Sequence, residues 1–327
     1  MICRRHIMAL SLALLGAGVC SGSAVAQTAP YPNKLVKIIV PFAAGGGVDV
    51  FARLIAEKLR SANGYNIIVE NRPGASGTIG GNAVRNAEAD GYTLLFSAGT
   101  QVMAQQVLKS APYNPIDDFN FVARVGEAPM MLVMTNGRPQ KSIAEIVADF
   151  RANPKNWNFG TAALGAPGHI ATIQFNALAG VDVPIIAYPG TGPALNDVVG
   201  GHIQLLIDPL LALLPQVRSG KVKAVAVTTV ARTKLAPDIP TAAEAGLTGL
   251  VQSSWYGLWG PKALPADLVG TLNRTINTAV QELDKEGKLE KLGIVPTSES
   301  PDAFRAFAAD YLARSTGLLK AAKFEPQ

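Results

Sequence analysis

Hydrophobic positions along this chain switch repeatedly between two periods. "LVKIIV" at 35–40 is an apolar run of strand length. It leads into "PFAAGGGVDVFARLIAEKLR", where Phe51, Leu54, Ile55 and Leu59 recur at helical spacing and mark one apolar face. "YNIIVE" (65–70) and "TLLFS" (93–97) read as the next strands, with the turn-rich "NRPGASGTIGG" between them feeding a helix. "MMLVM" (130–134) is another strand. Ser142 and Glu145 then form the S-x-x-E pattern of a capping box, opening a helix at "SIAEIVADFRAN". Strands at "NWNFGT", "VPIIAY", "IQLLID" and "VKAVAVT" alternate with further helical segments, and two longer helices are expected near 265–285 and 301–322. This alternation predicts α/β architecture with largely parallel sheets. No fixed-period repeat or low-complexity linker interrupts it, so two lobes would be joined by crossing strands and not by a tether.

Length and composition narrow this picture. A chain of 327 residues has room for two domains. A hydrophobic content of 48% against 16% charged residues excludes a disordered chain. The first residues stand apart from the alternation: "MICRR" is basic, "IMALSLALLGAGV" is apolar, and "AVA" at 24–26 has the small-x-small form of a cleavage site. Residues 1–26 are therefore expected to be a secretory signal peptide cut after Ala26, which places the mature protein in the periplasm. Cys20 would permit a lipoprotein, but Val19 is bulky where a small residue usually precedes a lipidated cysteine. Cys3 and Cys20 both fall in the leader, so no disulfide or thiol chemistry is expected in the mature chain. Without Arg4 and Arg5, 27 basic and 24 acidic residues leave a net charge of +3. The basic residues are scattered and not interleaved with aromatics, which argues against nucleic acid as a partner.

The candidate chemistry begins at Gly45-Gly46-Gly47, where a strand hands over to a helix. Glycine brings backbone N–H groups close to a ligand, and a helix N-terminus adds unpaired donors and partial positive charge. Asp49 is expected to N-cap that helix or to accept a donor from a ligand, with the cap the stronger reading. A dinucleotide fits poorly, because Val50 stands where the fingerprint wants a third small residue, and no P-loop pattern is present. A carboxylate needs only two or three amides. "GTAALGAPGHIATIQF" (160–175) repeats the strand, small-residue turn and helix, with Pro167 in the first turn and His169 at the start. A third segment, 187–209, adds Tyr188 and Thr191 and ends in Asp208 at the close of a strand. Tyr188 could bond a ligand or cap the core; Asp208 could meet a ligand or make a turn beside Pro209.

A secreted hydrolase is the rival from another class. No Gly-x-Ser-x-Gly turn exists, since Gly74-Ala75-Ser76-Gly77 has the wrong spacing. His169 and His202 belong to no metal-binding pattern, and Asp49, Glu70 and Asp208 are far apart in sequence. Trp255, Tyr256 and Trp259 could form a sugar platform, though packing around an interlobe crossing is the stronger reading.

The segments "VPFAAGGGVDVFAR", "VENRPGASGTIGGNAV", "ADGYTLLFSAGT", "FGTAALGAPGHIA", "GPALNDVVGGHI", "IPTAAEAG" and "SSWYGLWGPKALP" together resemble the Bug proteins. These are extracytoplasmic solute-binding proteins related to the tripartite tricarboxylate transporters, and the resemblance spans the mature chain in the family's order. It implies a two-lobed periplasmic binding protein of the Venus-flytrap, type II-like kind, each lobe a mostly parallel sheet flanked by helices. Lobe one is expected near 27–126 plus 252–327 and lobe two near 127–251. The resemblance also implies that amides of Gly45, Gly46, Gly47 and Val48 hold a ligand carboxylate, with Phe42 and Asp49 in the same turn. Thr161, Ala163, Gly165, Ala166 and His169 would contribute from the second lobe, and Ser97, Thr100, Tyr188, Thr191 and Asp208 would line the rest.

Where the family commonly carries a glycine and then a hydroxyl residue, this chain has Ala163 and Ala166. Where a basic residue often follows the tyrosine, it has Pro189. The expected ligand is thus a mono- or dicarboxylate with one well-anchored carboxylate and a less polar distal part, aromatic or short aliphatic. No cofactor, metal or catalysis is expected. The expected protein is a monomer that passes its ligand to the membrane components of a transporter or presents it to a sensor kinase.

Overall fold

The structure is a computed structural model, and it describes residues 31–327. The expected signal peptide and both cysteines lie outside the described residues. In chain order the first elements are strand β1 (Val36–Val40), helix α1 (Gly47–Asn63), β2 (Ile67–Asn71), α2 (Thr78–Arg85), β3 (Thr93–Ala98) and α3 (Ala104–Val107). Then come β4 (Phe119–Thr135), α4 (Ile143–Ala152), β5 (Phe159–Thr161), α5 (Pro167–Ala179), β6 (Ile185–Ala187) and α6 (Thr191–Gly200). They are followed by β7 (Leu205–Pro209), α7 (Leu210–Arg218), β8 (Val222–Val227) and β9 (Ser253–Pro261). The chain closes with α8 (Ala266–Lys285), α9 (Lys288–Leu292), β10 (Val295–Pro296) and α10 (Pro301–Ala321).

Local signals account for most of these elements. Helix α1 buries Phe51, Ala52, Ile55, Ala56 and Leu59 on one side and stops at Gly64, which takes the left-handed conformation. Helix α4 starts as its capping box predicts: the Ser142 hydroxyl accepts from the Glu145 N–H, and Glu145 reaches back to the Lys141 N–H.

The strands form two groups. β2, β1 and β3 are parallel neighbours, as are β6, β5 and β7. Between the groups the pairing turns antiparallel: β9 lies between β3 and β4, and β4 also pairs with β7, β8 and β10. Each half is therefore mixed, parallel on its outer side only, which corrects the largely parallel expectation. β4 belongs to both halves. Phe119 to Pro129 pair with β9, and Met130 to Thr135 pair with β7 and β8. A strand that serves two sheets ties them with backbone hydrogen bonds, a stiffer joint than a linker.

Two large cores flank this joint. One gathers Trp157, Phe159, Phe175 and Ile207 around α4 and α5. The other gathers Trp255, Trp259, Phe121 and Phe304 around β9 and α10. Trp255 and Trp259 are thus buried packing residues, with Phe304 edge-on to Trp255 at 5.8 Å and tilted against Trp259 at 5.1 Å. Tyr256, on the other face of β9, packs edge-on against Phe51 at 5.4 Å. A sugar platform is not available from these rings, because none of the three is accessible.

Candidate functional site

The two halves meet over a tight cleft with about 30 Å³ of free space, room for a water or two. Its walls follow from how the parallel strands end. At the C-terminal ends of β1, β5 and β6 the chain turns sharply and enters α1, α5 and α6, so three helix N-termini converge on one space. Gly46, Gly47 and Val48 come from α1, Ala166 and Pro167 from α5, and Thr191 from α6. None of the three helices receives a capping hydrogen bond from the side chain at its N-cap: those residues are Gly46, Ala166 and Gly190. Helix N-termini without side-chain caps, with their amide donors and aligned dipoles, make such a space attractive to an anion. No lysine, arginine or histidine lines it.

The two sides are in close contact. The Ala43 N–H donates to the Pro189 carbonyl across the cleft at 3.0 Å. A Cβ on Gly46 would lie 3.1 Å from the Thr191 Oγ1, and one on Gly47 would lie 3.4 Å from the Pro209 Cβ. The α5 turn presses equally hard on its own sheet. A Cβ on Gly168 would come within 2.2 Å of the Ile207 carbonyl oxygen, so the backbone approach there requires glycine.

Asp49 is not the N-cap that sequence reasoning favoured. It is the third residue of α1, and its Oδ2 accepts from the Gly45 N–H at 2.9 Å, one residue before the N-cap. Arg53 pairs with the same carboxylate, and the Asn71 side chain donates to Oδ1 at 2.9 Å. Burial alone would raise the Asp49 pKa, but the bonds from Arg53, Gly45 and Asn71 outweigh it and hold the group below its ordinary value. Asp49 is thereby spent on holding Gly45 at a φ of 86°, the bend that aims the next amides at the cleft.

Asp208 behaves oppositely. It closes β7 facing the cleft, is only 5% exposed, and its Oδ2 has no hydrogen-bond partner. Burial pushes its pKa up to about 7, while the Thr191 hydroxyl pulls the other way. The Tyr256 hydroxyl is buried nearby; burial raises its pKa, the Ser254 hydroxyl pulls the other way, and the charge of Asp208 raises it further.

Of the residues singled out from sequence, Phe42, Gly46, Gly47, Val48, Asp49, Thr100, Ala166, Thr191 and Asp208 line the cleft. Gly45 sits behind it as the bend. Ser97 and Thr161 are fully buried beside it, and the Thr161 hydroxyl donates to the Ala163 carbonyl. Ala163 and Tyr188 lie against an adjoining hollow shared with Gly74 to Gly77, where Phe42 and Ala162 form the common wall. The Tyr188 hydroxyl donates to Asp197 at 2.6 Å, so it is engaged within its own lobe.

His169 points elsewhere. Its Nδ1 accepts from the Gly165 N–H, and its ring meets Phe324 edge-on at 5.1 Å. Burial holds its pKa down to about 4, so the ring is neutral. Gly165 likewise abuts Met103. Sequence reasoning missed Ala43, Ala98, Ala162, Pro167, Pro209 and Ser254 in the lining. Most are small or apolar side chains with no chemical signature; the available signal was adjacency to residues already chosen.

Among the described residues, no cluster of His, Cys, Asp and Glu could hold a metal ion, and no helix is long and apolar enough to cross a membrane.

Comparison with known proteins agrees with this fold. The family described as "Tripartite tricarboxylate transporter family receptor" matches residues 51–324. The chain is 34% identical to Protein BugT of Bordetella pertussis over 313 residues, covering 94% of this chain and 96% of BugT. It superposes on R. palustris Rpa4515 solved with adipate at a TM-score of 0.87 and 32% identity, covering 91% of this chain and all of that one. MatC from Rhodopseudomonas palustris, solved with bound malate, superposes at 0.83 with 32% identity, covering 88% of this chain and all of MatC. The chain also superposes on the periplasmic binding protein BugD at a TM-score of 0.85 with 32% identity, covering 91% of this chain and all of that one. It therefore has the two-lobed periplasmic binding fold, and the family is one of receptors, not enzymes. This chain belongs to the tripartite tricarboxylate transporter receptor family, the Bug solute-binding proteins.

Proposed function

We propose that this protein captures a small organic carboxylate between its lobes and delivers it to the membrane components of a tripartite tricarboxylate-type transporter. The observation that carries the reading is the convergence of three helix N-termini, without side-chain caps, on a cleft that no basic side chain lines. Such a site suits a carboxylate gripped by main-chain amides. Charge-assisted hydrogen bonds contribute about 1.5–3 kcal/mol each. Three or four of them, less the cost of closure, approach the roughly 8 kcal/mol of micromolar binding. The relatives solved with adipate and malate support this ligand class. The reading includes secretion to the periplasm after cleavage at Ala26, action as a monomer, lobe one at 27–126 plus 252–327, and lobe two at 127–251. The switch of β4 partners near Pro129 supports that division.

The test is native mass spectrometry of gently purified protein, joined to calorimetry with malate, succinate and adipate. A co-purifying acid, or saturable heat with one of the three and no consumption of it, is expected. An empty protein that gives no heat with any of them would refute the reading.

A further inference from the structure

The carboxylate of Asp208 is the one acidic group in the cleft that the protein satisfies only in part: the Thr191 hydroxyl acts on it, while its Oδ2 has no partner. Asp49 also lines the cleft, but Arg53, Asn71 and the Gly45 N–H occupy its oxygens. The Asp208 Oδ2 is buried without a partner, and no basic side chain shares its surroundings. An orphaned buried acceptor is costly, so a site that keeps one is built for a donor that arrives from outside. The position of the orphan says where that donor must sit. Asp208 follows Ile207, whose carbonyl oxygen is against Gly168 in the first turn of α5. Thr191, at the start of α6, is beside its carboxylate. Gly46, at the start of α1, is against the same Thr191. The acceptor therefore stands among the three helix N-termini whose amides would hold an anion.

We infer that Asp208 is a specificity-determining residue, accepting a hydrogen bond from a hydroxyl or ammonium group borne next to the ligand's carboxylate. The preferred ligand class is then the 2-hydroxy or 2-amino acids. The inference rests on the carboxylate reading above and narrows it; it adds a polar group beside the anchor to the less polar distal part expected from the sequence. An unsubstituted acid would bring an anion into the space and leave Oδ2 orphaned. A 2-substituted acid brings the anion and the donor together. Burial that pushes Asp208 up to about 7 fits the same picture, since a poorly solvated carboxylate gains most from an incoming donor.

The experiment is calorimetry on the full chain with matched sets of three to six carbons. At each length the unsubstituted acid, its 2-hydroxy derivative and its 2-amino derivative are compared: succinate with malate and aspartate, adipate with 2-hydroxyadipate and 2-aminoadipate, and likewise for propionate and glutarate. At the best chain length, one substituted acid should bind at least about 10-fold more tightly than its unsubstituted parent, the ratio expected of one hydrogen bond to a charged group. Asp208→Ala should shrink that ratio to within about threefold. Asp208→Asn should keep a hydroxy-acid preference while losing an amino-acid one, because the amide still accepts but no longer carries charge. Melting curves of both variants establish that they are folded, and if Ala fails this check the Asn variant carries the test. Equal affinity for parent and substituted acids in the wild-type protein would overturn the inference and leave the carboxylate reading standing. So would a preference that survives in the variants. Absence of heat with every acid would overturn both.

Discussion

Gly46→Val tests whether the cleft works by closing on its ligand. Gly46 has φ −80° and ψ 170°, extended backbone open to any residue, so its own lobe tolerates a side chain. The obstacle lies in the other lobe: a Cβ would sit 3.1 Å from the Thr191 Oγ1 and 3.3 Å from the Thr191 Cβ. Those distances are tight for a single carbon, and valine adds two methyl groups. Overpacking of this kind costs roughly 1–3 kcal/mol, and it falls on the closed state alone. At about 1.4 kcal/mol per tenfold, affinity should weaken roughly 5- to 150-fold, with the melting temperature of the ligand-free protein nearly unchanged. Calorimetry with the best acid of the panel gives the affinity, and small-angle scattering follows closure through the radius of gyration. Thr191→Gly removes both clashing atoms, so the double variant should bind more tightly than Gly46→Val alone, with a coupling energy of at least about 1 kcal/mol. Wild-type affinity in a folded Gly46→Val protein would refute the reasoning, as would strictly additive effects in the cycle. The milder Gly46→Ala serves if valine prevents folding.

Two further expectations concern pH. His169 titrates near 4 when folded and near 6.5 when unfolded, so between these values the unfolded chain binds the extra proton. The stability from its neutral form is fully present above pH 6.5 and is lost as pH falls towards 4, by up to about 3 kcal/mol. His169→Asn keeps an acceptor for the Gly165 N–H without the titration, and its melting temperature should depend less steeply on pH over that window; an unchanged slope would disprove the assignment. Asp208 has the opposite sign: its folded pKa of about 7 lies above the ordinary 3.8, so the ligand-free protein loses stability as pH rises between the two. Asp208→Asn should therefore melt higher than wild type at pH 8. The gain is at most about 4 kcal/mol and is reduced by the three helix N-termini, which favour the anion. A lower melting temperature at pH 8 would mean that the charge is well satisfied.

Some elements were legible along the chain because their causes are local. The face of α1, the capping box of α4 and the glycine turn at 45–47 each follow from spacing that a few neighbouring residues decide. β4 was only half legible. Its pairing with β9 shifts register between Phe121 and Ala123 and again between Arg124 and Gly126, which breaks the two-residue alternation that reveals a strand. Arg124 and Glu127 also make this stretch look like surface, although Arg124 is paired with Glu127 and Glu299 over the Phe307 ring. β9 was hidden for a related reason, since its aromatic residues are buried on both faces and show no alternation.

The sequence by itself determined the strand-to-helix turns, the shortage of basic and metal-binding residues near them, and the family resemblance, since each is a property of short segments. Only the tertiary structure decided which groups face the cleft. His169 turned to Phe324, Tyr188 to Asp197 and Asp49 to Arg53, whereas the Asp208 Oδ2 was left at the cleft without a partner. A side chain's role depends on what lies within about 3 Å of it, and here those neighbours come from elements far away along the chain.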